Sequence, residues 1–219
     1  MNQKNEENEL KLTPELLVHG YVNGIFPMAV DGEIYWFCPK ERGVIDFHNF
    51  KLGRHFRWLM RHHPFTIKID SDFVGTMKHC ASRHETWINS EIITAYHGLH
   101  KLGLAHSVET WLGDELVGGL YLVSIKSGIF GESMFSMVED ASKVALLFLI
   151  EHMKQRNFKL LDSQYFTEHL SRFNCITISK DEYMKLLSEA LVNNADFTKG
   201  FTEIPPPEPN RKVKRKKVD

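Results

Sequence analysis

The stretch between residues 107 and 163 narrows the possible folds more than any other part of the chain. A strand-like run covers 107–112, a Gly113-Asp114 pair supplies a hairpin turn, and two further strand-like runs cover 116–125 and 128–135. Asp140 then stands where a helix cap belongs, ahead of a strongly apolar helical run over 141–155, and a short, buried-looking strand follows at 158–163. Three antiparallel strands, an apolar helix and another strand require a sheet with that helix packed against it. The chain then continues as helix, strand and helix, with Tyr183, Leu186, Leu187, Ala190 and Leu191 at helical intervals.

The first half reads as a mixed α/β layer. Thr13-Pro14-Glu15 has the hydroxyl, proline and acid that open a helix, which ends at Gly24. Strands are expected at 34–37, 44–47 and 65–69, and helices at 53–62, 73–81 and 90–102. The expected organisation is therefore α+β: a disordered lead-in (1–12), a small N-terminal α/β domain (13–104), a mixed-sheet domain (105–200) and a Pro-rich, basic, disordered tail (201–219).

Composition removes several classes of function. Cys38, Cys80 and Cys175 lie far apart with no CxxC or Cys/His finger spacing, so neither a disulfide framework nor a zinc site is expected. The polar N-terminus lacks a signal region, and no apolar run approaches the roughly 20 residues of a membrane span. A cytoplasmic chain, with no membrane partner, is expected. The twelve histidines form no HExxH pattern, His97 and His100 read as a solvated helix face, and no Walker loop or GxGxxG occurs. No metal or cofactor is expected. Six of the 27 Lys and Arg fall within 211–217, so the other 21 face 28 acids and the folded body is acidic. A nucleic-acid substrate gains support only from that tail and from local patches such as His55, Arg57, Arg61 and His62.

Two short segments carry chemistry. Glu132 sits in Gly131-Glu132-Ser133-Met134-Phe135, where a carboxylate must either be paired, for instance with a ligand ammonium, or face water at a sheet edge. The glycine that a serine nucleophile elbow needs after Ser133 is missing. Asp162 and Gln164 flank Ser163 at period two, so on a strand they share a face near its C-terminal end, where α/β sheets often place ligands. Asp can accept a proton or orient a donor; Gln can donate to an oxyanion and accept from an amine. The same pair also fits a strand end facing water. Trp87 and Trp36 suit either base stacking or the core.

Read in order, the segments at 20–28, 39–44, 80–83, 86–88, 95–97, 105–109, 116–121, 131–135, 141–143 and 162–164 resemble the leucyl/phenylalanyl-tRNA-protein transferases in sequence and spacing, over about 13–190. The resemblance implies an N-terminal α/β layer packed on an acetyltransferase-like (GNAT-like) mixed-sheet domain. It implies an aminoacyltransferase that moves Leu or Phe from aminoacyl-tRNA to the N-terminal amine of an acceptor protein, marking it for degradation through the N-degron pathway. Carried over, Asp162 and Gln164 orient or deprotonate the attacking amine and Glu132 lies near the donor's amino group. Met134, Leu120, Leu146 and Leu149 wall the pocket for the donor side chain, and Trp87 stacks on the terminal adenosine. Met28 stands where many members carry a second stacking tryptophan, Asp-Ser-Gln replaces Asp-Cys-Gln, and Phe173-Asn174-Cys175 replaces a Leu-Gly-Ala run. A monomer is expected. Two rival readings are the same chemistry on acidic N-termini and a non-catalytic tRNA- or degron-binding module.

Overall fold

The computed structural model describes residues 11–83, 86–201, 203–207 and 215. The expected lead-in up to residue 10 and most of the basic tail lie outside them. Thr13 caps α1 (Pro14–Val22) by accepting from the Leu16 amide, with proline at its first position. A hairpin of β1 (Phe26–Val30) and β2 (Glu33–Phe37) follows, then β3 (Glu41–Ile45), α2 (Arg54–His62), β4 (Thr66–Ile69), α3 (Phe73–Ala81) and α4 (Ser90–Lys101). The second half runs β5 (Ala105–Leu112), β6 (Glu115–Ile125), β7 (Gly128–Ser136), α5 (Ala141–Lys154), β8 (Leu160–Gln164), α6 (Glu168–Ser171), β9 (Cys175–Ser179) and α7 (Lys180–Val192).

Among the described residues, seven strands form one mixed sheet in the order β4-β5-β6-β7-β8-β3-β9, and β1-β2 is a separate ribbon. Of these strands β7 and β8 run parallel, joined by the α5 crossover, and the other described neighbours are antiparallel. The sheet takes β3 and β4 from before residue 104 and the rest from after it. Both faces are covered. One carries α5, whose Val144, Ala145, Leu147 and Ile150 pack with Leu122, Ile129 and Phe158. The other carries α1, α3, α4 and α7 around Tyr21, Met77, Tyr96 and Leu187. This two-sided burial explains why β6 is buried along almost its whole length instead of alternating.

Three local expectations change. The strand β1 was not anticipated, because Pro27 and the absence of alternation hide it; Pro27 is tolerated in a two-stranded ribbon that has only β2 as a neighbour. Asp140 does precede α5, but it adopts φ 67° and makes no capping hydrogen bond. Its carboxylate takes Lys143 Nζ at 2.6 Å instead, while the Ser142 amide finds Ser136 Oγ at 3.3 Å. Residues at the edges of the expected lead-in and tail join the body: Leu12 is buried and donates its amide to Glu91 Oε1 at 2.6 Å, and Ile204 exchanges backbone hydrogen bonds with Ile67.

Candidate active site

Among the described residues, β7 and β8 pair only through Gly128–Leu160, Ile129–Leu161 and Phe130–Asp162. A cavity of about 500 Å³ opens where that pairing ends. The site residues carried over from the resemblance line it: Glu132, Asp162, Gln164, Trp87, Met28, Met134, Leu120, Leu146 and Leu149. Leu120 on β6 stands opposite Met134 on β7, and α5 sends Leu146 and Leu149 into the same wall one turn apart. Trp36 does not line the cavity; it sits on β2 against Gly20, where an added Cβ would meet its ring at 2.2 Å.

Glu132 and Gln164 face each other across the split, Gln164 Nε2 donating to Glu132 Oε1 at 2.8 Å. The same oxygen accepts from the Tyr21 hydroxyl at 2.6 Å, and Oε2 from the Tyr96 hydroxyl at 3.3 Å; the two tyrosine hydroxyls also touch. Burial lifts the Glu132 carboxyl to a pKa of about 7, with the neighbouring Asp162 charge adding to it while the Tyr21, Tyr96 and Gln164 hydrogen bonds pull the other way. It is an acid that can change protonation near neutrality.

Asp162 has a different environment. Arg42 Nε donates to Oδ1 at 2.9 Å and Nη2 to Oδ2 at 2.6 Å, the Tyr183 hydroxyl reaches Oδ2 at 2.8 Å, and the Gln164 amide reaches Oδ1 at 2.8 Å. Arg42 is itself buried, lies 4.6 Å from the Phe26 ring centroid and 4.5 Å from that of Tyr183, and donates to the Gly24 carbonyl at 3.1 Å. Burial opposes its charge, and the Asp162 carboxylate more than compensates, leaving the Arg42 pKa raised. Gln164 sits at φ 63°, and the Tyr165 amide bonds to the Ser163 carbonyl at 2.7 Å. That is a γ-turn with positive φ, the rarer and strained of the two kinds.

At the other end of the cavity, Arg83 lies 5.2 Å from the Trp87 ring centroid and donates to Ser133 Oγ at 2.6 Å. The Ala29 amide bonds the Trp87 carbonyl at 3.1 Å, fixing β1, and so Met28, beside that indole. Tyr121 also lines the cavity, and among the described residues its buried hydroxyl has no hydrogen-bond partner. A polar group left so is suited to a ligand atom.

Reasoning from sequence missed Arg42, Tyr21, Tyr96, Tyr121 and Tyr183. The signal for Arg42 was an arginine opening the buried run Gly43-Val44-Ile45. The tyrosines sit in apolar helices and strands and look like ordinary core. Apart from this cavity, Asp70, His100 and His106 could bring three ligand atoms within 4.8 Å of one another. However, His106 Nδ1 is 2.7 Å from Asp70 Oδ2 and His100 Nδ1 is 2.9 Å from the Ala105 carbonyl, so the group works as an imidazole–carboxylate tie between β4 and β5. The helix face carrying His100 is also less solvated than expected, since its ring stacks on Phe73 at 4.3 Å.

Comparison with known proteins places these features in company. Residues 44–188 match the family model described as leucyl/phenylalanyl-tRNA protein transferase, and 11–40 match the model of its N-terminal domain. A leucyl/phenylalanyl-tRNA--protein transferase of Rhodospirillum rubrum is 46% identical over 202 residues, covering 89% of this chain and 95% of that one. Its counterpart in Ruegeria pomeroyi is 43% identical, covering 90% and 95%. That of Herpetosiphon aurantiacus is 45% identical, covering 85% and 98%. Among solved structures, L-PGS from Bacillus licheniformis is 11% identical over 72% of this chain and 55% of that one, at a TM-score of 0.37, too distant to inform the site.

Proposed function

Because the chain belongs to the leucyl/phenylalanyl-tRNA-protein transferase family, we propose that its cavity is where an amino acid passes from aminoacyl-tRNA to the N-terminal amine of a protein. The protein is an aminoacyltransferase. The observation that carries the site reading is the meeting of Glu132 and Gln164 across the β7/β8 split, above an apolar pocket. Such a split also supports the acetyltransferase-like reading of the sheet.

The chemistry is ester aminolysis, and the ester arrives activated. The protein must aim a neutral amine at the carbonyl and stabilise the oxyanion while the ribose leaves. An α-amine has a reference pKa of about 8, so a neutral fraction is present near pH 7 without a strong base. Glu132 receives the donor's ammonium, which its acceptor oxygens and low-polarity surroundings favour once both are charged. Met134, Leu120, Leu146 and Leu149 take the Leu or Phe side chain, where each buried methylene contributes about 1 to 3 kcal/mol of discrimination. Trp87, with Met28 beside it, supports the terminal adenosine. Gln164, held by Asp162, orients the incoming amine.

The acceptor begins with Arg or Lys, the product is marked for degradation, and the enzyme works as a cytoplasmic monomer. Incubation with labelled leucyl-tRNA and peptides beginning with Arg, Lys, Asp or Glu tests the reading. Transfer to the basic peptides is expected; transfer only to the acidic ones moves the specificity, and none to any peptide sinks the reading.

A further inference from the structure

We propose that Arg42 is a positioning residue for this transfer, acting through Asp162 to hold the strained turn that aims the Gln164 amide at Glu132 and the incoming amine. The inference rests on the transfer reading above. A carboxylate offers about four lone-pair sites, and on Asp162 four donor groups occupy them: two of Arg42, the Tyr183 hydroxyl and the Gln164 backbone N–H. No site remains for a substrate proton or amine. Asp162 therefore does not act as the base, although it lines the cavity.

What the pairing accomplishes is mechanical. A positive-φ γ-turn on a glutamine is unfavourable by itself and persists only where surrounding contacts over-determine it. The contacts are the Gln164 backbone N–H on Asp162 Oδ1, which ties the turn to its own strand, and the guanidinium that pins Asp162 from β3. Arg42 is fixed in turn by the Gly24 carbonyl and between the Phe26 and Tyr183 rings. It thus joins α1's end, β1, β3, β8 and α7 at one point. On the adjacent side, Gly43 lets β3 approach the Tyr165 backbone so closely that a Cβ would lie 2.3 Å from its carbonyl carbon. The turn is held by a charge pair on one side and by backbone contact on the other.

Three variants and two readouts test the proposal. Arg42→Lys keeps the charge but loses the two-pronged grip; a folded protein is expected, with kcat lowered about 30- to 100-fold and KM for leucyl-tRNA within about threefold. Asp162→Asn leaves the buried guanidinium without its charge partner and is expected to lose as much. Combined with Arg42→Gln, however, it restores a neutral hydrogen-bonded pair, and the double variant should recover at least about tenfold of the kcat lost in Asp162→Asn. A double variant no better than Asp162→Asn alone would mean that Asp162 is the base and overturn the proposal. The second readout needs no activity and so separates this inference from the transfer reading: the Gln164 side-chain amide resonances, identified by their loss in Gln164→Glu. In Arg42→Lys they should move toward those of exposed glutamines and exchange faster with water. Unchanged resonances would equally overturn the clamp.

Discussion

Glu132 is the residue whose chemistry and stability can be measured against each other. Its folded pKa of about 7 lies above its ordinary 4.5, so between those values the folded protein keeps a proton that the unfolded chain has lost. The stability from this group is complete below about pH 4.5 and drains away as pH rises through 7, by roughly 3 kcal/mol in all. Glu132→Gln should remove that dependence: melting profiles will show the variant gaining on the parent from pH 5 to pH 8, while transfer falls by about 100-fold. A gap between the two proteins that does not change with pH would refute the assignment of Glu132 as the buried titrating acid. Glu132, Asp162 and Gln164 were visible in the sequence as polar residues in apolar strands. The partners that decide their roles were not, because Arg42 lies 120 residues from Asp162 and Tyr21 lies 111 from Glu132. No local period connects such positions.

At the scale of elements, two glycines separate the site from the scaffold. Gly43→Ala drives a Cβ into the Tyr165–Phe166 backbone, with contacts of 2.3 and 2.6 Å, and Gly43 is in register with Gln164. The expected cost is about 1–3 kcal/mol of stability with about a 100-fold loss of kcat. Gly118→Ala drives a Cβ to 2.4 Å from Ala141 Cβ, at the start of α5 and away from the turn. It should cost similar stability, read from urea midpoints, yet keep kcat within about fivefold. Equal losses of activity in the two would dissolve the distinction. Helix starts were legible because capping is local: Thr13 takes the Leu16 amide and Asp72 the Gly75 amide within a single turn. Strand β3 was read three residues late because its first buried residue is Arg42, which sequence patterns count as polar.

Across the whole molecule, the end of the described chain is built into the fold. Phe197 is buried, its ring lies against His106 and His152, and its carbonyl is 2.7 Å from His152 Nε2. Phe201 meets Phe148 edge-on, and Ile204 adds a rung to Ile67. Removing 195–219 should therefore cost about 3–5 kcal/mol, the scale of deleting one large buried aromatic. Arg215→Ala, which removes an ion pair to Glu115 at the exposed surface, should leave the urea midpoint close to the parent's. Denaturant midpoints of the two variants decide it, and equal midpoints would contradict the packing.

The place of β3 between β8 and β9 also has a consequence in time. A strand made early by the ribosome must wait for partners that emerge more than a hundred residues later, since Gly43 pairs with Gln164 on one side and Thr177 on the other. Loop closure over that distance comes late in folding. Until Asp162 and Gln164 have been made, Arg42 has no carboxylate partner and Glu132 no amide donor. The site is therefore assembled only from a chain whose β3 has already met β8, which makes its formation one of the later events of folding.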